Sequence, residues 1–249
     1  MGSFLNVCIS RLPEGKSIIF PRSFCPNCKK TILWYDNIPL LSYFLLRGRC
    51  RYCKTKISFR YFFVELLTAS LFLFFYKKFG ITAEFFIYTA LFSSLIVSTF
   101  IDLKYQIIPD VISLSGIILG LLLSLIFPQI QGESSHLSAL AESFWGLFVG
   151  GGMIWFTGVL GKLIFRKEAM GFGDVKLMMM LGAFLGWKKV ILTFFLAPFL
   201  GIIFGIISLI KTKSHYIPYG PFLSLASFVA LVWGEGIWLL ITNCWLLGK

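Results

Sequence analysis

Long uncharged runs separated by short polar connections dominate the chain. Residues 111–132, 143–161, 190–210 and 214–234 contain no Asp, Glu, Lys or Arg. Each run is close to the roughly 20 residues that cross a bilayer's hydrocarbon core as a helix. Two further apolar stretches, 62–79 and 85–101, flank a turn at Lys77-Lys78-Phe79-Gly80, and a shorter one, 177–187, follows a Gly-rich loop. The pattern predicts an all-α bundle of about seven transmembrane helices. The runs are continuously apolar, without the alternation that strands of a spanning barrel need. Ahead of them lies a polar segment, residues 10–60.

Composition strengthens this reading. Hydrophobic residues make up 57% of the 249 and charged residues 14%, against roughly 45–50% and about 25% in a soluble protein. Mean hydropathy is +0.84. A soluble single-domain enzyme, a disordered chain and a secreted disulfide scaffold are thereby excluded. The net charge of +12 is concentrated, because residues 10–60 hold 11 Lys/Arg and 2 Asp/Glu. Alternate connections (10–60, 102–110, 162–176 and 211–219) hold 18 of the 23 basic residues. Positive residues stay cytoplasmic, so the basic segment and the loops beginning at Asp102 and near Gly171 are expected inside. Residues 1–9 are apolar but too short to span, and read as the last turns of a helix whose beginning is absent. The expected domains are this remnant, a cytoplasmic module at 10–60 and a transmembrane domain at 61–249.

Four of six cysteines form two C-x2-C knuckles, Cys25-Pro26-Asn27-Cys28 and Cys50-Arg51-Tyr52-Cys53, with 21 residues between them. Two-residue spacing turns both thiolates of a knuckle onto one ion, and two knuckles complete a closed, structural zinc tetrahedron. Disulfides are disfavoured in a reducing cytoplasm. Cys8 and Cys244 read as small core residues. The module's positive charge fits anionic lipid headgroups better than nucleic acid.

Carboxylates at membrane depth are functional suspects. Asp102 ends the run 85–101, and Asp174 closes Gly171-Phe172-Gly173-Asp174 just before an apolar run. Two carboxylates that approach each other share a proton; the ionised one activates water and the protonated one polarises a carbonyl. That is aspartic protease chemistry. Gly171 and Gly173 allow a tight turn and close approach, and a helix N-terminus favours ionised Asp174. The bland alternatives are a solvated helix end for Asp102 and an N-cap for Asp174. Among the rest, Asp110 reads as an N-cap and Lys176 as a counter-charge to Asp174. Glu65 is placed either against a substrate amine or against Arg60. Glu168 is a loop carboxylate or part of a site, His136 and His215 are structural, and Glu84, Glu142 and Glu235 carry no motif.

In order along the chain, Gly2-Ser3-Phe4-Leu5-Asn6-Val7, Arg11-Leu12-Pro13, Pro21-Arg22-Ser23, the two knuckles, Trp34-Tyr35-Asp36-Asn37-Ile38-Pro39, Ser58-Phe59-Arg60-Tyr61 and Val64-Glu65 resemble the start of bacterial type IV prepilin peptidases. So do Asp102, Ile108-Pro109-Asp110, Gly171-Phe172-Gly173-Asp174-Val175-Lys176 and Pro218-Tyr219-Gly220-Pro221-Phe222 further on. The resemblance implies an inner-membrane aspartic protease using Asp102 and Asp174. It implies removal of the basic leader of prepilins and pseudopilins after a Gly on the cytoplasmic side. It also implies N-methylation of the new terminus with S-adenosylmethionine, an activity associated with tetracysteine members. No G-x-G-x-x-G loop is present, so no methyl-donor residues are assigned. Members of that family have a full spanning helix before Gly-Ser-Phe-Leu-Asn-Val.

Two other classes stay open at the level of sequence. A proton-coupled transporter would use the aspartates as a relay, but predicts them near the midplane rather than at one edge. A docking module would use the zinc segment for a partner and the aspartates as caps. A presenilin-like intramembrane protease shares the G-x-G-D element without needing the knuckles.

Overall fold

A computed structural model describes residues 1–166, 170–212 and 218–247, with side chains omitted at 165, 204–212 and 244–247. Eight α-helices follow in order: α1 Gly2–Arg11, α2 Leu41–Leu45, α3 Phe59–Phe79, α4 Ala83–Tyr105, α5 Asp110–Ile126, α6 His136–Phe165, α7 Phe172–Thr212 and α8 Gly220–Leu247. Among the described residues there is no strand, only two isolated β-bridges. Five helices are long and apolar enough to cross a membrane, and α5 is a shorter apolar helix. The chain is a multi-pass membrane protein. It divides into two compact units, residues 1–105 and 106–249.

In the first unit, α1 packs on α3 and α4. Its Gly2 lies so close to α3 that a Cβ there would stand 2.8 Å from the Glu65 Cα. The Asn6 amide donates to the Tyr61 carbonyl at 3.1 Å. Ser58 caps α3, its hydroxyl accepting from the Arg60 N–H at 3.3 Å, and Gly80 at φ 65° ends it.

The second unit is built around α7. The two apolar runs 177–187 and 190–210 lie in one element broken at Gly186, whose φ 75° and ψ 171° belong to a region open essentially to glycine alone. The break is a reversal. A Cβ on Gly150 of α6 would lie 2.6 Å from the Met178 carbonyl and 3.0 Å from a Val190 methyl. In a straight helix those two residues would be about 18 Å apart. α7 is therefore a hairpin of two helical arms, and the chain has the seven apolar helical segments that the hydropathy pattern demands.

Reversal orphans carbonyls at the end of the first arm, which lipid cannot satisfy. Ser143 donates to the Ala183 carbonyl at 2.6 Å, Ser124 at 3.3 Å and the Gln131 amide at 3.1 Å. Small residues admit the first arm between its neighbours, as is usual for helices packed in lipid. Gly116 faces Met180, Gly120 faces Ala183, and Gly146 and Gly182 cross backbone to backbone. The second arm runs antiparallel to α8, with Leu192 against Gly234 and Gly201 against Phe222.

Boundaries depart from the apolar runs where proline or a cap intervenes. α5 stops at Ile126 because Pro128 opens a 3-10 turn. α8 starts at Gly220, after Pro218 and with Pro221 in its first turn, where a missing N–H costs nothing. α6 begins at His136, well before the uncharged run at 143, since its first two turns tolerate polar residues.

Candidate functional site

Each cysteine knuckle is a tight turn closed by a β-bridge, Phe24 with Thr31 and Arg49 with Lys56. The turns match residue for residue. In the first, the Cys25 N–H donates to the Lys30 carbonyl and the Lys29 N–H to the Cys25 carbonyl, both at 2.9 Å. In the second, the Cys50 N–H donates to the Thr55 carbonyl at 2.9 Å and the Lys54 N–H to the Cys50 carbonyl at 3.1 Å.

The Sγ atoms of Cys25, Cys28, Cys50 and Cys53 all lie within 4.8 Å of one another, and those of Cys25 and Cys53 are 3.7 Å apart. Zinc–sulfur bonds of about 2.3 Å in a tetrahedron require sulfurs about 3.8 Å apart. The donor set fits zinc. The Thr55 hydroxyl, 3.3 Å from the Cys53 sulfur, together with the Thr55 N–H and the Asn27 amide, holds the Cys53 thiol down to about 5. At Cys28 the Lys30 N–H favours the thiolate, but desolvation and the three neighbouring sulfurs outweigh it and push the thiol up to about 11. The cluster binds one charge readily and resists the next, and a cation at its centre removes that conflict.

Asp102 sits one turn before the end of α4 and is 5% exposed. It is among the few charged side chains buried in its unit. Asp174 stands in the first turn of α7 and is half-buried, its N–H donating to the Gly171 carbonyl at 3.1 Å. Neither Gly171 nor Gly173 has a positive φ; their small size is what the site uses. A Cβ on Gly171 would lie 3.5 Å from the Asp174 Oδ2, and one on Gly173 would lie 3.2 Å from the Ile108 Cβ.

Several side chains are placed differently from the sequence reading. Lys176 pairs with Asp110 at 2.7 Å. Asp110 is the first helical residue of α5, and its side chain caps nothing; the N-cap is Pro109. Among the described residues Glu65 forms no ion pair with Arg60. It accepts from the Ser3 hydroxyl at 2.6 Å and from the Leu40 N–H at 2.8 Å, tying α1 and the loop before α2 to α3. The Arg60 guanidinium lies over the Tyr61 ring at 5.3 Å. Glu142 accepts from the Trp187 indole at 3.1 Å, beside the reversal. The His136 Nδ1 is 2.7 Å from the Leu125 carbonyl, a structural role, and Cys8 is buried in the core. Glu168, His215 and the Cys244 side chain lie outside the described residues.

Tyr219 has no role in the reading by motif alone. Its carbonyl accepts the first N–H groups of α8, from Phe222 at 3.0 Å and Leu223 at 3.2 Å. Its hydroxyl is buried and, among the described residues, has no hydrogen-bond partner. Burial pushes the phenol up to about 12, and the negative charge of Asp174 adds to the shift. The motif Pro218-Tyr219-Gly220-Pro221-Phe222 marked the position, but nothing in it announced the buried hydroxyl.

Residues 1–79 match the bacterial peptidase A24 N-terminal domain, and residues 89–206 match the type IV leader peptidase family. Relatives named prepilin leader peptidase/N-methyltransferase include one from Aeromonas salmonicida, 36% identical over 97% of this chain and 91% of that protein. Another, from Pseudomonas aeruginosa, is 35% identical over 95% of this chain and 88% of its own length. A third, from Myxococcus xanthus, is 40% identical over 85% of this chain, which spans 61% of that protein's length. No solved structure matches the chain. With both family models falling in order along it, and the Aeromonas and Pseudomonas relatives aligned over most of their length, the chain belongs to the type IV leader peptidase family.

Proposed function

We propose that this protein removes the basic leader from type IV prepilins and pseudopilins after a Gly, and then methylates the new N-terminus. Asp102 and Asp174 are the two carboxylates of the peptidase reaction, at the cytoplasmic edge of the bacterial inner membrane. The observation that carries this reading is that residues 89–206, the part similar to the leader peptidase family, contain both aspartates at helix ends. The Lys/Arg bias supports the cytoplasmic orientation.

In the reaction, one ionised carboxylate takes a proton from water while the oxygen attacks the scissile carbonyl carbon. The other, protonated carboxyl donates to the carbonyl oxygen as the C–O bond forms. Collapse of the tetrahedral adduct breaks the C–N bond, the leaving amine receives the proton from the first carboxyl, and an adduct hydroxyl returns its proton to the second, restoring both carboxyls. The N-terminal dipole of α7 favours Asp174 as the ionised member, although a coupled pair titrates as a unit. S-adenosylmethionine, when bound, supplies a methyl cation to the freed amine, which loses a proton.

Cys25, Cys28, Cys50 and Cys53 would hold zinc in a closed tetrahedron with no position for water, so its contribution is to the module's fold rather than to hydrolysis. The proton-relay transporter is not favoured, since the relatives named above are peptidases with N-methyltransferase activity by name.

The test is the intact mass of a prepilin with a Gly-Phe junction, incubated with the reconstituted protein and S-adenosylmethionine. Leader loss plus one methyl is expected. Asp102→Asn and Asp174→Asn should each slow cleavage by at least about 100-fold, the low end for a lost acid–base group, with helix content unchanged. Wild-type cleavage by either variant refutes the dyad.

A further inference from the structure

A cavity of about 420 Å³ opens in the cysteine module, lined by Leu45, Leu46, Arg47, Arg49, Cys50 and Lys54. Three of its six lining residues are cations. Among the described residues none of the three stands within ion-pair distance of a carboxylate; the module's ion pairs are Lys16 with Glu14 and Arg51 with Asp36. Like charges gathered around one cavity repel, and an anion entering it removes that cost.

The height of this cavity relative to the bilayer can be read from its neighbours. The turn after α2 is braced by Tyr43, whose ring would stand 3.0 Å from a Cβ on Gly48. Tyr43 and Phe44 both rest on Phe62, with ring centroids 5.3 and 5.2 Å away. Phe62 is in the first turn of α3, a helix of 21 residues and about 31 Å, matched to the hydrocarbon thickness of about 30 Å. The first turn of such a helix sits where acyl chains meet headgroups, and so does the cavity beside it.

The surface around the cavity has the matching character. Leu41, Phe44 and Leu45, at i, i+3 and i+4 of α2, form one exposed apolar face, Phe44 at 67% and Leu45 at 73% exposure. That face continues into the exposed Phe59 and Phe63 of α3. The turn holding Trp34, itself 80% exposed, is tied to α2 by the Ser42 hydroxyl donating to the Tyr35 carbonyl at 3.2 Å. Exposed aromatics flanked by cations are the pattern of a membrane interface.

We propose that Arg47, Arg49 and Lys54 form a binding site for the phosphate of an anionic phospholipid, with the Leu41–Phe44–Leu45 face lying against its acyl chains. The lipid clamps the cysteine module down onto the bilayer at the entry of α3. A single lipid phosphate bridging three cations is a charge-assisted site, distinct from diffuse attraction to the leaflet.

The probe is a photoactivatable phosphatidylglycerol in phosphatidylcholine nanodiscs carrying the full chain. Labelled residues are mapped by peptide mass spectrometry, and zinc content serves as the fold control. Adducts are expected within residues 41–54. They should fall by at least about tenfold in the Arg47→Gln/Arg49→Gln/Lys54→Gln variant and persist in Arg47→Lys/Arg49→Lys. Should the triple variant lose zinc, the salt dependence of wild-type labelling decides: loss of labelling at high salt supports the site, and salt-independent labelling refutes it. Equal labelling by a photoactivatable phosphatidylcholine, or unchanged labelling in a zinc-loaded triple variant, overturns the proposal. Displacement by inorganic phosphate would make the ligand a free anion and also overturn it.

Discussion

The Lys176 ammonium lies 2.7 Å from the Asp110 carboxylate, 66 residues earlier in the chain. Lys176 is two residues from Asp174, yet its ion pair is with Asp110 of α5. The side chains are 19% and 58% exposed respectively, so the pair is worth under about 1 kcal/mol.

This gives a contrast between two aspartates. Asp110→Asn should leave prepilin cleavage within roughly threefold of wild type and lower stability by less than about 1 kcal/mol, while Asp174→Asn should slow cleavage by at least about 100-fold. Parallel turnover and thermal unfolding in the same detergent check both. Loss of cleavage in a stable Asp110→Asn protein would place Asp110 in the reaction.

Tyr219 separates stability from function. A buried hydroxyl without a partner costs about 1–3 kcal/mol, so Tyr219→Phe is expected to leave the melting temperature equal or higher. Cleavage is nevertheless expected to fall in the Phe variant, because the phenol lies within electrostatic reach of Asp174. A phenol raised from about 10 to about 12 favours the folded state fully below pH 10 and loses that contribution as pH rises through 12. It is therefore neutral, and a donor, wherever the enzyme works. Unchanged turnover in the Phe variant would confine Tyr219 to capping α8.

Zinc should leave the protein in acid. Thiolates are the ligands, so binding releases protons and weakens as pH falls. With Cys53 held down to about 5, its thiolate persists well below neutral pH. Metal content measured after dialysis against chelator should be retained at neutral pH and lost near pH 5. In metal-free protein the lowered Cys53 thiol stabilises the fold above its unfolded value, about 8.5, and loses that contribution as pH falls through 5. A purified protein without zinc at neutral pH would count against the site. The Cys50→Ser variant should lose metal while helix content persists.

Glycine-to-alanine changes in α7 test how the arms are packed. A Cβ on Gly182 would stand 2.0 Å from the Gly146 carbonyl oxygen, which only a backbone shift relieves. Gly182→Ala should cost at least about 1–3 kcal/mol, and Gly186→Ala a similar amount from backbone strain. Gly152→Ala, where a Cβ meets nothing within 4 Å, is the control and should be neutral. Unfolding in detergent ranks the three; equal stability would refute the packing.

Features that rest on neighbouring residues were legible in the sequence. Two C-x2-C turns carry their own geometry, and hydropathy placed Asp102 and Asp174 at helix ends because a charge interrupts an apolar run wherever it falls. Contacts between distant residues were not. Nothing near Glu65 announces that its carboxylate is taken by Ser3 and by the Leu40 N–H, nor does Lys176 show that its partner is Asp110. The break between the runs 177–187 and 190–210 was visible as Lys188-Lys189. Its cause was not, since a φ of 75° at Gly186 leaves no mark beyond one more glycine among 23.

The reversal at Gly186 also bears on how the chain enters the membrane. The first arm, residues 172–185, is only 14 residues long, short of the roughly 20 that partition into a bilayer unaided. It exposes the carbonyls of its last turn until Ser124, Gln131 and Ser143 arrive from earlier in the chain. The arm is therefore expected to insert together with its return partner, against helices that carry Ser124 and Ser143.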